Sequence, residues 1–152
     1  MAFGALIPGS IRARMDILVL EDDNELAKSF TRCLIDRGFN ATFQTSIAEA
    51  LTYLKMNKPS VIISDFNLGS GETAFDFILK IPLVNIGPEI PVFINTGSKL
   101  EVDSLLPQQN DYVGSVVLEV WDKKDFVKLL DRIEQYFSDF NIEHPASGLF
   151  IL

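Results

Sequence analysis

Five short strand-like runs, each followed by a stretch with helical spacing, constrain this chain more than any other feature. MDILVL (15–20), SVIIS (60–64), PVFINTG (91–97) and SVVLEVW (115–121) are mainly apolar, and NATFQT (40–45) makes a weaker strand. Short, mainly apolar segments suit strands covered on both faces. Between them, ELAKSFTRCLIDRG (25–38) places Leu26, Phe30, Cys33 and Leu34 at helical spacing, with Gly38 as a C-cap. Ser46 and Glu49 have the spacing of a capping box at the head of AEALTYLKMN (48–57). TAFDFILKI (73–81) reads as a helix halted near Pro82, and LEVDSLL (100–106) as a short or broken one limited by Pro107. DFVKLLDRIEQYF (125–137) turns Phe126, Leu129, Leu130, Ile133 and Phe137 to one side. Strands and helices in strict alternation predict an α/β fold: one domain over 15–138 with a parallel sheet and helices on both of its faces.

Composition excludes several classes. The chain has 152 residues, 47% of them apolar and twelve of them Phe, enough for a packed core. No apolar run approaches the roughly 18 residues of a membrane span. With 21 acidic against 13 basic residues the net charge is −8, which opposes binding to a phosphate backbone, so no nucleic-acid partner is expected. One cysteine, Cys33, rules out an intrachain disulfide and reads as a small core residue. Residues 1–14 (MAFGALIPGSIRAR) have their arginines after the apolar patch, the wrong order for a secretory leader, and read as an extension or linker. Residues 139–152 read as a tail; they hold His144, the sole histidine, in a polar setting unsuited to a metal site. A cytoplasmic location is the expectation.

In open α/β sheets ligands gather beyond the carboxyl ends of the strands. Those ends here carry Glu21, Asp22 and Asp23; then Asp65; then Asn95 and Thr96; then Trp121, Asp122, Lys123 and Lys124. Each has a structural explanation on its own: acids after a strand cap helices, Thr closes turns, and Lys is solvated. Asp65 is the exception, since it ends the buried run VIIS and is followed by the loop FNLGSGE rather than by a helix. Carboxylates crowded at one edge repel, and a protein relieves this by raising a pKa or binding a cation. A few oxygen ligands beside a phosphoryl group suit Mg²⁺. A carboxylate there can attack phosphorus, an ammonium can neutralise the transferred charge, and a hydroxyl can bond a phosphoryl oxygen.

With ILVLEDD, VIISDFNLG, PVFINTG and a lysine after the fifth strand in that order, the sequence resembles the receiver domains of two-component response regulators, the CheY-like superfamily. The resemblance spans residues 15 to about 138 and implies the flavodoxin-like strand order 2-1-3-4-5. It implies Asp65 as phosphoacceptor and Thr96 as the hydroxyl that moves onto the phosphoryl group. Lys123 becomes the pairing lysine, with Lys124 as the alternative. Glu21, Asp22, Asp65 and the backbone carbonyl of Asn67 become the Mg²⁺ site, and Asp23 a cap. A histidine kinase or phosphotransfer protein would donate the phosphoryl group, and an unknown protein would receive the signal. A homodimer through the fourth-helix and fifth-strand face is a further option. No enzymatic activity is implied beyond phosphorylation and dephosphorylation of Asp65 itself.

Three departures from the family pattern stand out. Lys124 replaces the proline that usually follows the lysine, Val120 occupies the place of an aromatic switch residue unless Trp121 stands in, and the loop after Asp65 is longer. They keep open a second reading, a non-switching receiver that serves as a protein-interaction module. A phosphatase with an aspartyl nucleophile would want a second carboxylate at Asn67. GSGET lacks the Lys-Ser/Thr of a phosphate-gripping loop. After Phe137 too little chain remains for an output domain, so the expectation is a stand-alone receiver or a piece of a longer chain.

Overall fold

In the computed structural model, which describes residues 15–143, the apolar runs pair as a five-stranded parallel sheet of order β2-β1-β3-β4-β5. The strands are β1 (Asp16–Leu20), β2 (Asn40–Gln44), β3 (Val61–Ser64), β4 (Val92–Thr96) and β5 (Val117–Asp122). Helices α1 (Asn24–Asp36), α2 (Ile47–Met56), α3 (Ala74–Lys80), α4 (Lys99–Leu105), α5 (Asp111–Val116) and α6 (Phe126–Glu143) connect and flank them. The expected class and strand order are thus observed.

The runs of β1, β3 and β4 are nearly continuous because both faces of the sheet are covered there. Ile17, Val19, Ile63 and Phe93 pack against Phe30 and Leu34 of α1 and Leu129, Ile133 and Phe137 of α6. Leu18, Leu20, Ile62 and Ile94 face α2, α3, α4 and α5 through Leu54, Phe77, Ile78, Val102 and Val113. Alternation of side chains along each strand divides the two cores. Cys33 is half-buried against the first of them.

The helix ends follow local chemistry. Asp23 caps α1 by accepting from the backbone N–H groups of Glu25 and Leu26 at 3.0 and 3.1 Å. Gly38 closes it with φ +96°, and the amides of Gly38 and Phe39 return to the carbonyls of Ile35 and Leu34. At α2 only half of the expected capping box forms. Ser46 accepts from Glu49 N–H, but the Glu49 carboxylate takes the Thr45 hydroxyl instead of turning back to Ser46. The reciprocal carboxylate bond occurs at α3, where Asp76 accepts from Thr73 N–H at 2.8 Å.

Residues 98–113 break into two short helices, with Pro107 in a single 3₁₀ turn between them. The fifth strand begins later than its sequence suggests. Asn110 caps α5 by accepting from Val113 N–H, which draws Ser115 and Val116 into the helix and leaves β5 to start at Val117. The last helix runs past residue 138 to Glu143. Residues 1–14 and His144 lie outside the described residues, and no described helix is long and apolar enough to cross a membrane.

Candidate functional site

The sheet ladder continues one residue beyond the strands, and this fixes the candidate acids. Asp65 N–H donates to Leu20 C=O at 2.8 Å, and Glu21 N–H to Gln44 C=O at 3.2 Å. Both carboxylates therefore leave rigid backbone on the α1/α6 side of the sheet. Oxygens of Glu21, Asp22 and Asp65 come within 4.8 Å of one another. Glu21 is buried at 8% exposure, Asp65 is half-buried and Asp22 is exposed. The Glu21 and Asp65 side chains are thus both held inside, each 10% exposed, and Asp22 lies at the surface.

Lys123 ties the group together. Its Nζ donates to Glu21 Oε1 at 2.9 Å and to Asp65 Oδ2 at 3.1 Å. The second oxygen of each acid is held by backbone: Glu21 Oε2 accepts from Asp23 N–H at 3.1 Å, and Asp65 Oδ1 from Phe66 N–H at 2.7 Å. Lys124 is exposed and does not reach the acids; its backbone N–H donates to Asp122 Oδ1. Burial pushes the Glu21 carboxyl up to about 7 against the opposing pull of Lys123 and the Asp23 amide, with the Asp65 charge adding to the rise. Lys123 moves upward as well: burial opposes its charge, but Glu21 and Asp65 outweigh it. Desolvation therefore governs the acid, and pairing governs the base.

The loop after Asp65 keeps the mouth open. Gly69, Ser70 and Gly71 all have positive φ, at +87°, +54° and +78°. They make a tight reversal closed by Leu68 N–H to Glu72 C=O, Glu72 N–H to Gly69 C=O and Ala74 N–H to Phe66 C=O. Asn67 lies in its exposed rim, bridged to Thr73. A Cβ at Gly69 would stand 3.7 Å from Asp22 Oδ2, so this turn runs alongside the exposed acid.

Thr96 is buried, and its Oγ1 accepts from Ser98 N–H at 3.0 Å; it is not bonded to Asp65 or Lys123. Trp121 cannot stand in for an aromatic at Val120. Its ring packs with the α1/α6 core and its indole N–H donates to Glu119, whereas Val120 packs against the opposite core.

Two features escaped the sequence reading. A cavity of about 320 Å³ opens between α1 and the sheet, lined by Leu26, Phe30, Ile63 and Phe126 as well as by Glu21, Asp65 and Lys123. Asn95 also lines it, and its Oδ1 is buried without a hydrogen-bond partner, an arrangement that costs about 1–3 kcal/mol. Asn95 has the same strand parity as buried Phe93, and that parity was the available signal. The second feature is a clamp in which Arg132 grips both oxygens of Glu119 at 2.8 to 3.1 Å beside the Trp121 N–H.

Response-regulator receiver domains are among the solved structures with this architecture. A CheY-like receiver domain of Methanospirillum hungatei superposes with a TM-score of 0.68 at 17% identity, over 85% of this chain and 98% of that one. The receiver domain of a Francisella response regulator gives 0.66 at 19% identity, over 84% and 99%. A Burkholderia pseudomallei response regulator with a phosphorylated aspartic acid and a calcium ion gives 0.64 at 19%, over 91% and 77%. The fold of this chain is that of the CheY-like receiver domains. In sequence it is 28% identical over 127 residues to a 14.6 kDa protein of the sodA1 3′ region of Leptolyngbya boryana, spanning 82% of this chain and 91% of that protein. No family model matches the chain.

Proposed function

We propose that this chain is a phosphoryl-accepting receiver of a two-component or phosphorelay system, with Asp65 as the acceptor. The observation that supports it most is the Asp65 carboxylate at the open end of the sheet, flanked by the acid pair Glu21 and Asp22 and bonded to the Lys123 ammonium. The donor is the phosphohistidine of a histidine kinase or phosphotransfer protein. An Asp65 oxygen forms the new O–P bond, the N–P bond breaks, and the imidazole leaves with the electron pair. Lys123 balances the charge that arrives, and Thr96 turns its hydroxyl from Ser98 to a phosphoryl oxygen. Hydrolysis of the acyl phosphate returns Asp65 and inorganic phosphate.

Oxygen-only donors within 4.8 Å fit Mg²⁺. Glu21, Asp22, Asp65 and the Asn67 carbonyl would hold the ion, which when bound supplies electrostatic neutralisation of the phosphoryl oxygens. The α4/β5 face then carries the change to a downstream protein or a second copy of the chain. The test is incubation with Mg²⁺ and a small acyl phosphate. Wild type is expected to gain one acid-labile phosphate, and Asp65→Asn none; equal labelling of the two sinks the reading.

Val120 favours one alternative, a receiver that docks without switching, because no aromatic side chain occupies that place on the α4 side. Unchanged affinity for a downstream partner with and without a phosphoryl mimic on Asp65 would select it.

A further inference from the structure

The α1/α6 face of the sheet ends in a row of four residues. Register pairs Leu20 with Ser64, Ser64 with Ile94 and Ile94 with Val120. One residue on, turned to the other face, stand Glu21, Asp65, Asn95 and Trp121, the last two paired in register. Lys123 leaves the end of β5 and still touches Asp65 beyond β3 and Glu21 beyond β1. Its stem therefore crosses the strand that carries Asn95. Asn95 Oδ1 is buried and without a donor, and Asn95 and Lys123 line the same cavity. An apolar residue of the same shape would suit the neighbouring Ile63, Phe30 and Phe126 better.

An ammonium has three N–H donors, and Glu21 and Asp65 take two of those of Lys123. A divalent cation bound by the same carboxylates competes with the ammonium for their oxygens and repels it. We propose that Asn95 is a positioning residue for Lys123, its Oδ1 receiving the ammonium when a divalent cation occupies the carboxylates. The orphaned acceptor is then idle only in the cation-free state. In the loaded state it keeps Lys123 inside the site, ordered and within reach of whatever binds Asp65. This inference rests on the receiver reading for the cation, but it concerns the ammonium before any phosphoryl group arrives.

The experiment follows the Lys123 ammonium by ¹⁵N–¹H NMR during a Mg²⁺ titration with no phosphodonor present. Its signal, assigned by its loss in Lys123→Met, is visible only while hydrogen bonds slow its exchange with water. In wild type it is expected to shift and persist at saturation. In Asn95→Leu it is expected in EDTA and lost on adding Mg²⁺, with Mg²⁺ binding about tenfold weaker. Asn95→Asp, which keeps an acceptor at that point, is expected to restore the signal. A melting temperature in EDTA at or above wild type shows that Asn95→Leu is folded. A signal that survives Mg²⁺ in Asn95→Leu overturns the proposal, as does one that vanishes in wild type or a wild type that binds no Mg²⁺. A wild type with the expected Lys123 response that takes no phosphate from an acyl phosphate sinks the receiver reading alone.

Discussion

Glu21 holds a proton at a pH where an ordinary glutamate has none. Its carboxyl titrates near 7 in the folded protein against 4.5 normally. Between those values the folded chain binds a proton that the unfolded chain has released, so the Glu21 contribution to stability falls as pH rises from 4.5 to 7 and is level above. A shift of this size is worth on the order of 3 kcal/mol. Urea unfolding in EDTA across that range should therefore show wild type losing stability relative to Glu21→Gln. A wild-type-minus-variant difference that is flat or rises with pH would contradict it. Glu119 behaves in the opposite sense. Burial raises its carboxyl, but Arg132 and the Trp121 N–H together bring it below the usual value. Its contribution is present above 4.5 and lost as pH falls through the lowered value. The pair is about one-third exposed, so Glu119→Gln is expected to cost only about 1 kcal/mol at pH 7. Because Trp121 is the sole tryptophan, its emission should shift in the same variant. Unchanged emission and melting temperature would show the clamp to be inert.

At the scale of elements, most of the fold was legible because the three inner strands are covered on both faces and so read as nearly unbroken apolar runs, while the partly exposed edge strand NATFQ gives a weaker signal. What misled was local competition for a few hydrogen bonds. SVVLEV carries the β-branched residues of a strand, yet Asn110 starts a helix that takes its first two residues. The Glu49 spacing suggested a full capping box, yet the Thr45 hydroxyl wins that carboxylate. Among site groups, the roles of Asp23 and Lys123 followed from the resemblance, and the structure sets Asp23 as the cap of α1 and Lys123 in the 3₁₀ turn after β5, within reach of Glu21 and Asp65. Asn95 was visible at the end of β4 but had no chemistry to announce it, since an orphaned acceptor appears only once its surroundings are known. The loop after Asp65 separates conformational from contact effects. Gly71 has φ +78° and open space around a Cβ, whereas Gly69 has φ +87° and Asp22 nearby. Alanine at either position is expected to cost about 1–2 kcal/mol for the left-handed backbone. Gly69→Ala alone also sets a methyl beside Asp22, but at 3.7 Å this is ordinary van der Waals contact, so Mg²⁺ affinity is expected to be the same in both variants. Calorimetric titration of the two checks this, and weaker binding in Gly69→Ala alone would mean that the methyl restricts the Asp22 carboxylate.

For the whole molecule, one cation bridges the two ends of the site. Glu21 follows β1, Asp65 follows β3, and Lys123 follows the edge strand β5, so the ion pairs tie together three strand ends far apart in the chain. Removing the ammonium leaves two mostly buried carboxylates facing each other with no counter-charge. Breaking a fully buried pair costs 3–5 kcal/mol, and the Lys123 side chain keeps 30% exposure. Lys123→Met is therefore expected to lose on the order of 2 kcal/mol in EDTA at pH 8, where Glu21 is mainly ionised. A cation bound by those acids replaces the missing charge, so Mg²⁺ should stabilise the variant more than wild type. At a hundred times Kd, ligand linkage adds about 2.7 kcal/mol, enough to offset the loss. Thermal denaturation of both proteins over a Mg²⁺ series measures the effect directly. If Mg²⁺ raises the two melting temperatures by the same amount, then the ammonium and the cation do not share these oxygens, and the site holds them independently.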